Sequence, residues 1–169
     1  ASGAVNTTTA YFYGASNKAA AEGVSVDDAM TVSAVYKNDQ SAGLTDPLSI
    51  TIAYDDTGST VKSRTHYKGD KNEELSDYSQ NFRMDGATFK AKDTTLYTYD
   101  TTTGEVLDYT TTYQGGTVDD NDVIGLTKKS ATDYYGALKG EEVSNYTLAY
   151  YASGAVNTTT AYFYGASNK

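Results

Sequence analysis

Thr158-Thr-Thr-Ala-Tyr-Phe-Tyr-Gly165 repeats Thr7-Thr-Thr-Ala-Tyr-Phe-Tyr-Gly14 without a change, and the identity extends over the whole of 1–18 and 152–169. In an extended chain successive side chains point to opposite faces, so Thr9, Tyr11 and Tyr13 share one face and Ala10 and Phe12 the other. Thr160, Tyr162 and Tyr164 repeat that arrangement. β-Branched and aromatic residues in alternation predict a strand, and the glycine after each copy ends it. Identical copies 151 residues apart are expected to divide the chain into a tandem unit over 1–151 and the start of a following unit over 152–169; the other reading is one terminal element copied to fill a place beside the other.

Working outward, the same alternation recurs. It predicts strands over Met30 to Lys37, Leu48 to Asp55, Ser59 to Lys68, Leu75 to Arg83, Ala87 to Tyr99, Glu105 to Tyr113, Leu126 to Tyr135, Glu142 to Tyr151 and Ala155 to Tyr164. Asp85-Gly86 between two alternating runs is a strong hairpin signal, and Asp56-Thr-Gly58 and Asp100-Thr-Thr-Thr-Gly104 mark further turns. Ala15 to Ala29 lacks alternation; it has room for one helical turn, but Gly23 argues against a stable helix. The expected fold is all-β, an antiparallel meander of about ten strands arranged as a hairpin repeat and wound or stacked into a ribbon, tube or shell.

Composition narrows the function. Leu, Ile, Val and Phe fall below a fifth of the chain, whereas 17 Tyr and 26 Thr with a single Pro favour an ordered β structure over a disordered one. Tyrosine rings are therefore expected to supply core area in place of aliphatics. A net charge of −9 argues against a phosphate-binding surface and so against nucleic acid as a partner. No apolar run is long enough for a membrane-spanning helix, and the absence of Cys removes disulfides, thiolate metal sites and cysteine nucleophiles.

Smaller copies lie inside the unit. Tyr54-Asp55 and Tyr99-Asp100 are each followed by a Thr-Gly turn, a valine and a Thr-rich strand. Glu73-Glu-Leu-Ser-Asp-Tyr78 pairs with Glu141-Glu-Val-Ser-Asn-Tyr146, and both lead into Thr-Thr-x-Tyr-x-Tyr, at Thr94 to Tyr99 and Thr159 to Tyr164. The Tyr-Asp segments resemble the YD repeats of Rhs-type secreted and cell-surface proteins. That resemblance implies antiparallel hairpins winding into a β shell at an extracellular or cell-surface location, and it implies no catalytic activity for the repeats themselves. Neither Tyr-Asp is followed by Gly-Arg-Leu, and Tyr-Gly replaces Tyr-Asp at Tyr13-Gly14 and Tyr164-Gly165.

Candidate chemistry is sparse. His66, the single histidine, alternates with Thr65 and Tyr67 and reads as a solvated strand residue. Asp119-Asp-Asn-Asp122 gathers hard oxygens but lacks the spacing, glycine and distal glutamate of a calcium loop, so it reads as an acidic turn. Glu73-Glu74 and Glu141-Glu142 read as structural charges at hairpin entries rather than as a glycosidase pair. No catalytic, cofactor or metal site is expected. The expected partners are copies of the chain itself, joined through Thr9, Tyr11, Tyr13, Thr160, Tyr162 and Tyr164. Glycans enter only under an alternative in which paired tyrosines stack on sugar rings.

Overall fold

The Asp-Gly signal closes the longest hairpin of the computed structural model, which describes residues 7–19, 23–37 and 61–165. There Leu75–Asp85 pairs with Thr88–Tyr99 down to Asp85 opposite Thr88, and Gly86 at φ 63° supplies the left-handed turn position. These two strands are β5 and β6 of ten. The others are β1 (Thr7–Tyr13), β2 (Lys18–Ala19), β3 (Met30–Lys37), β4 (Val61–Lys68), β7 (Leu107–Gln114), β8 (Lys128–Tyr135), β9 (Val143–Tyr150) and β10 (Val156–Ala161). All lie in one open sheet, ordered β10-β9-β8-β7-β6-β5-β4-β3-β1-β2, with every neighbouring pair antiparallel. Among the described residues there is no helix, and hence none long and apolar enough to cross a membrane.

The observed strands follow the alternating runs closely. The two-residue β2 was not expected; it pairs Phe12 with Ala19 and Tyr13 with Lys18 after a turn at Gly14 to Asn17. The expected strand Leu48 to Asp55 and the first Tyr-Asp segment lie outside the described residues.

Strand registers trace one face across the whole sheet. Ala10 lies opposite Ala34, Ala34 opposite Arg64, Arg64 opposite Gln80 and Gln80 opposite Thr94. Two residues along β6, Leu96 lies opposite Thr111, then Ala131, Leu148 and Thr159 follow in turn. Directly opposed residues share a face, so all of these side chains lie on one side of the sheet. That side carries the core over β1 to β6: Phe12, Val32, Ala34, Tyr36, Val61, Phe82 and Ala91 are buried there, with Phe89 and Val118 packed against them.

Val118 belongs to the β7–β8 connection, residues 115–127, which folds back over the sheet. Buried Gln80 anchors it: its Nε2 donates to the carbonyls of Thr117 (2.8 Å) and Asp120 (3.1 Å), and its Oε1 accepts from the Asp119 amide (2.8 Å). Thr94 Oγ1 donates to the Gly115 carbonyl at 2.7 Å. Gly116, at φ 131°, lies where a Cβ would collide with that hydroxyl, so the close approach requires glycine.

The sheet face is therefore polar where the connection crosses it and apolar beside it. On β7 the cover thins: Thr111 is still buried, but Tyr109 and Tyr146 on the same face are exposed. Tyrosine consequently supplies less of the core than its abundance suggests. Of the rings at the expected stripe positions, Tyr11, Tyr109, Tyr162 and Tyr164 are exposed, and the core centres on Phe, Val and Ala. The opposite face carries threonine ladders, with Thr95 and Thr112 hydroxyls 2.8 Å apart and those of Thr132 and Thr147 likewise 2.8 Å apart.

Candidate self-association interface

The two identical segments occupy opposite regions of the sheet. β1 pairs with β3, from Thr7 opposite Lys37 to Tyr13 opposite Met30, and among the described residues meets only the β2 stub on its other edge. β10 pairs with β9, from Val156 opposite Tyr150 to Ala161 opposite Tyr146, and the Tyr162 amide continues the ladder to the Asn145 carbonyl at 3.0 Å. No described strand lies on the outer edge of β10. Such an edge presents unpaired amide and carbonyl groups.

Three relations connect the copies. Eight antiparallel steps separate β1 from β10, so the two strands run in the same direction. The register path from Ala10 reaches Thr159, and Ala161, the copy of Ala10, shares the face of Thr159, so both copies present the same residues to the same side. β3 lies on the side of β1 toward β10, and β9 lies on the side of β10 toward β1. The partners of the two copies therefore occupy opposite edges of one strand type, and neither blocks the other. β2 adds no conflict: it pairs with Phe12 and Tyr13, whose copies Phe163 and Tyr164 lie beyond the residues paired with β9.

The side chains differ accordingly. Phe12 is fully buried at 0% exposure, whereas Phe163 is 65% exposed. On the opposite face, Tyr162 Oη lies 3.3 Å from Thr147 Oγ1, and Tyr164 Oη donates to the Ser144 carbonyl at 2.8 Å. Thr9, Tyr11 and Tyr13 share that face on β1, where Tyr11 is 51% exposed. Thr160 lies opposite Thr147, so the expected association residues line one face of the two strands.

The paired inner segments make matching bonds. Tyr99 Oη donates to the Ser76 carbonyl at 2.8 Å, as Tyr164 does to Ser144, and Tyr97 Oη lies 3.4 Å from Ser79 Oγ, as Tyr162 lies near Thr147. Burial, with Tyr97 and nearby carboxylates behind it, pushes the Tyr99 hydroxyl up to about 12, so it stays a protonated donor. Glu74 accepts the Met30 amide at 3.1 Å, and Glu142 accepts the Leu107 amide at 2.9 Å. Met30 and Leu107 each begin a strand, and each glutamate lies beside the strand two places further along the sheet. The Met30 amide chiefly lowers the Glu74 pKa; for Glu142 partial burial raises it, but the Leu107 and Gly140 amides outweigh burial and leave it lowered. Replacing either glutamate with Ala removes a charged acceptor from a strand-end amide. Each substitution is expected to cost about 1 kcal/mol in chemical denaturation.

His66 is not solvated. Its side chain is 15% exposed, its ring stacks on Tyr78 with centroids 4.2 Å apart, and Nε2 lies 3.2 Å from Asp119 Oδ1. The same carboxylate pairs with fully buried Arg64, whose guanidinium sits 5.5 Å from the Phe82 ring centroid. Asp119 takes a left-handed backbone, φ 57°, to point its carboxylate down onto β4. The acidic turn is thus a clamp on the connection. Among the described residues, no three His, Cys, Asp or Glu side chains gather in a group able to hold a metal ion.

Comparison with known proteins found no matching family model, no matching curated protein and no matching solved structure. The geometry alone therefore carries the functional argument. A shallow groove of about 340 Å³ on the uncovered half of the core-side face is lined by Tyr109, Tyr146, Leu148 and Tyr150. The Lys128 ammonium sits 5.3 Å from the Tyr150 ring centroid at this groove.

Sequence reasoning missed the Arg64–Asp119 clamp and the Gln80 anchor, because alternation marks charged and amide residues as outward-facing. The repeated Glu-Glu pairs were a usable signal, since a carboxylate at equivalent strand entries suits an unpaired amide.

Proposed function

We propose that the chain is a structural repeat of an extracellular or cell-surface protein, assembling head-to-tail into a fibre, stalk or shell without catalysis. The supporting observation is that its identical strands share direction and face while using opposite edges, so β10 of one unit can serve as β1 of the next. A sheet continued in this way repeats every eight strands, about 38 Å at the usual strand spacing. The matching bonds of Glu74 and Glu142, and of Tyr99 and Tyr164, support the same tandem logic inside the unit. The cysteine-free composition and the YD-like segments agree with a surface location. Electron microscopy of a polypeptide carrying several 151-residue units is expected to show a continuous ribbon or tube; separate, unconnected globules overturn the reading.

The tyrosine-lined groove favours a second reading, a carbohydrate-binding module in which Tyr109 and Tyr146 stack on sugar rings. A glycan array separates the two: binding lost in Tyr109→Ala or Tyr146→Ala with folding retained supports the module, and no binding by the intact chain removes it.

A further inference from the structure

We propose that the outer edge of β10 takes the Met30–Lys37 strand of a second copy of this chain, in the register β1 already uses, and displaces that copy's own β1. The inference rests on the self-assembly reading and supplies its molecular step. β1 shows what β3 accepts: Thr7 opposite Lys37, Thr9 opposite Val35, Ala10 opposite Ala34, Tyr11 opposite Ser33 and Phe12 opposite Val32. Residues 158–164 present the same side chains in the same order. The exchanged register therefore sets Thr160 opposite Val35, Ala161 opposite Ala34 and Phe163 opposite Val32 of the second copy.

Exchange conserves the β1–β3 ladder while joining chains. Each ladder bond that β3 loses from β1 is remade with the identical strand of its neighbour, and the Phe12 site is refilled by Phe163. The exposed phenylalanine becomes buried, and the displaced segment regains conformational freedom, which opposes the entropy lost on association. Before exchange two strands are each paired along one main edge; afterwards one strand is paired along both. Thr7–Tyr13 thus acts as a resident plug for a place that the next chain can fill. Each exchanged chain still offers its own β10, so the contact is heterologous and propagates rather than closing a two-fold dimer.

The test clamps the plug. Thr9 and Val35 are directly opposite on the less buried face, and opposed residues of antiparallel strands, about 4.5–5.5 Å apart at Cα, suit a disulfide. The full chain carrying Thr9→Cys and Val35→Cys is incubated at high concentration, oxidised or reduced, and its mass read by light scattering. The reduced chain is expected to form a ladder of oligomers and the oxidised chain to remain monomeric. For register, a full chain with Thr160→Cys mixed with one carrying Val35→Cys is expected to form a disulfide between the two chains.

Equal oligomerisation of the oxidised and reduced chains overturns the exchange while leaving self-assembly standing, and monomers under both conditions overturn it as well. Oligomers that fail to cross-link through Thr160→Cys and Val35→Cys overturn the register. The parent reading falls separately, if covalent tandem units also image as unconnected globules.

Discussion

Phe12→Ala is expected to cost about 3–5 kcal/mol of folding stability, whereas Phe163→Ala, in an identical stretch of sequence, is expected to change it by less than about 0.5 kcal/mol. Local propensity is the same at both positions, so the difference isolates tertiary context. Phe12 is fully buried beside Val32 and Ala34 in the core cluster, and truncation there loses transfer free energy and leaves a cavity. Phe163 projects from the same face beyond the end of β10, where no described strand lies on its outer side. Urea denaturation of the full chain at low concentration, where single chains dominate, measures both. A Phe163→Ala cost equal to that of Phe12→Ala would mean that the C-terminal copy is buried already in the single chain. Under the exchange mechanism the order changes on assembly: Phe163→Ala then weakens the chain-to-chain contact, because its ring occupies the site that Phe12 vacates.

The same pair of residues shows what sequence can and cannot convey. Alternation from Thr7 to Tyr13 predicts a strand and puts Phe12 opposite Tyr11 in facing, and both hold. Nothing in those residues tells a buried copy from an exposed one, since burial depends on whether a neighbour lies alongside. The meander was legible because its turns carry local signals, as at Asp85-Gly86 and at Asp100 to Gly104, where the Asp100 carboxylate accepts the amides of Thr102 and Thr103. The placement of residues 115–127 was not legible. That connection is held by Gln80, Thr94 and Arg64, polar side chains 39 residues from Asp119 for Gln80, 55 from Asp119 for Arg64 and 21 from Gly115 for Thr94, and period-two patterning assigns such residues to solvent. The composition misled in the same direction. Tyrosine abundance suggested ring-filled packing, but a single-layer sheet with partial cover leaves many rings wet, their hydroxyls bonded to neighbouring strands.

Asp119→Ala is expected to destabilise the chain by about 3–5 kcal/mol and to flatten its acid unfolding profile. The carboxylate faces Arg64, which has no exposed side-chain surface, together with the His66 ring and, through the local field, Tyr78. Removing one member of a buried ion pair costs far more than removing both, because buried Arg64 keeps its desolvation penalty while losing the attraction of the Asp119 carboxylate. The direction of the acid effect follows from the carboxyl itself. Partial burial raises its pKa, but hydrogen bonds from His66 and Arg64 outweigh burial and hold it below the ordinary value of 3.8. A folded-state pKa below the unfolded one means that the unfolded chain binds the proton more readily. The stabilisation is therefore fully present above the ordinary carboxyl range and is lost as pH falls through the lowered folded value. Glu74 and Glu142, also lowered, add to the loss in the same direction. Denaturation midpoints of the wild-type chain are expected to drop as pH falls below the ordinary carboxyl range and through the lowered folded values, with a shallower drop in Asp119→Ala. Arg64→Met combined with Asp119→Leu removes both charges and is expected to recover much of the loss, because the site then holds apolar side chains beside Phe82. A double variant as unstable as Asp119→Ala would show that the clamp acts by fixing the connection over β4 rather than by compensating a buried charge.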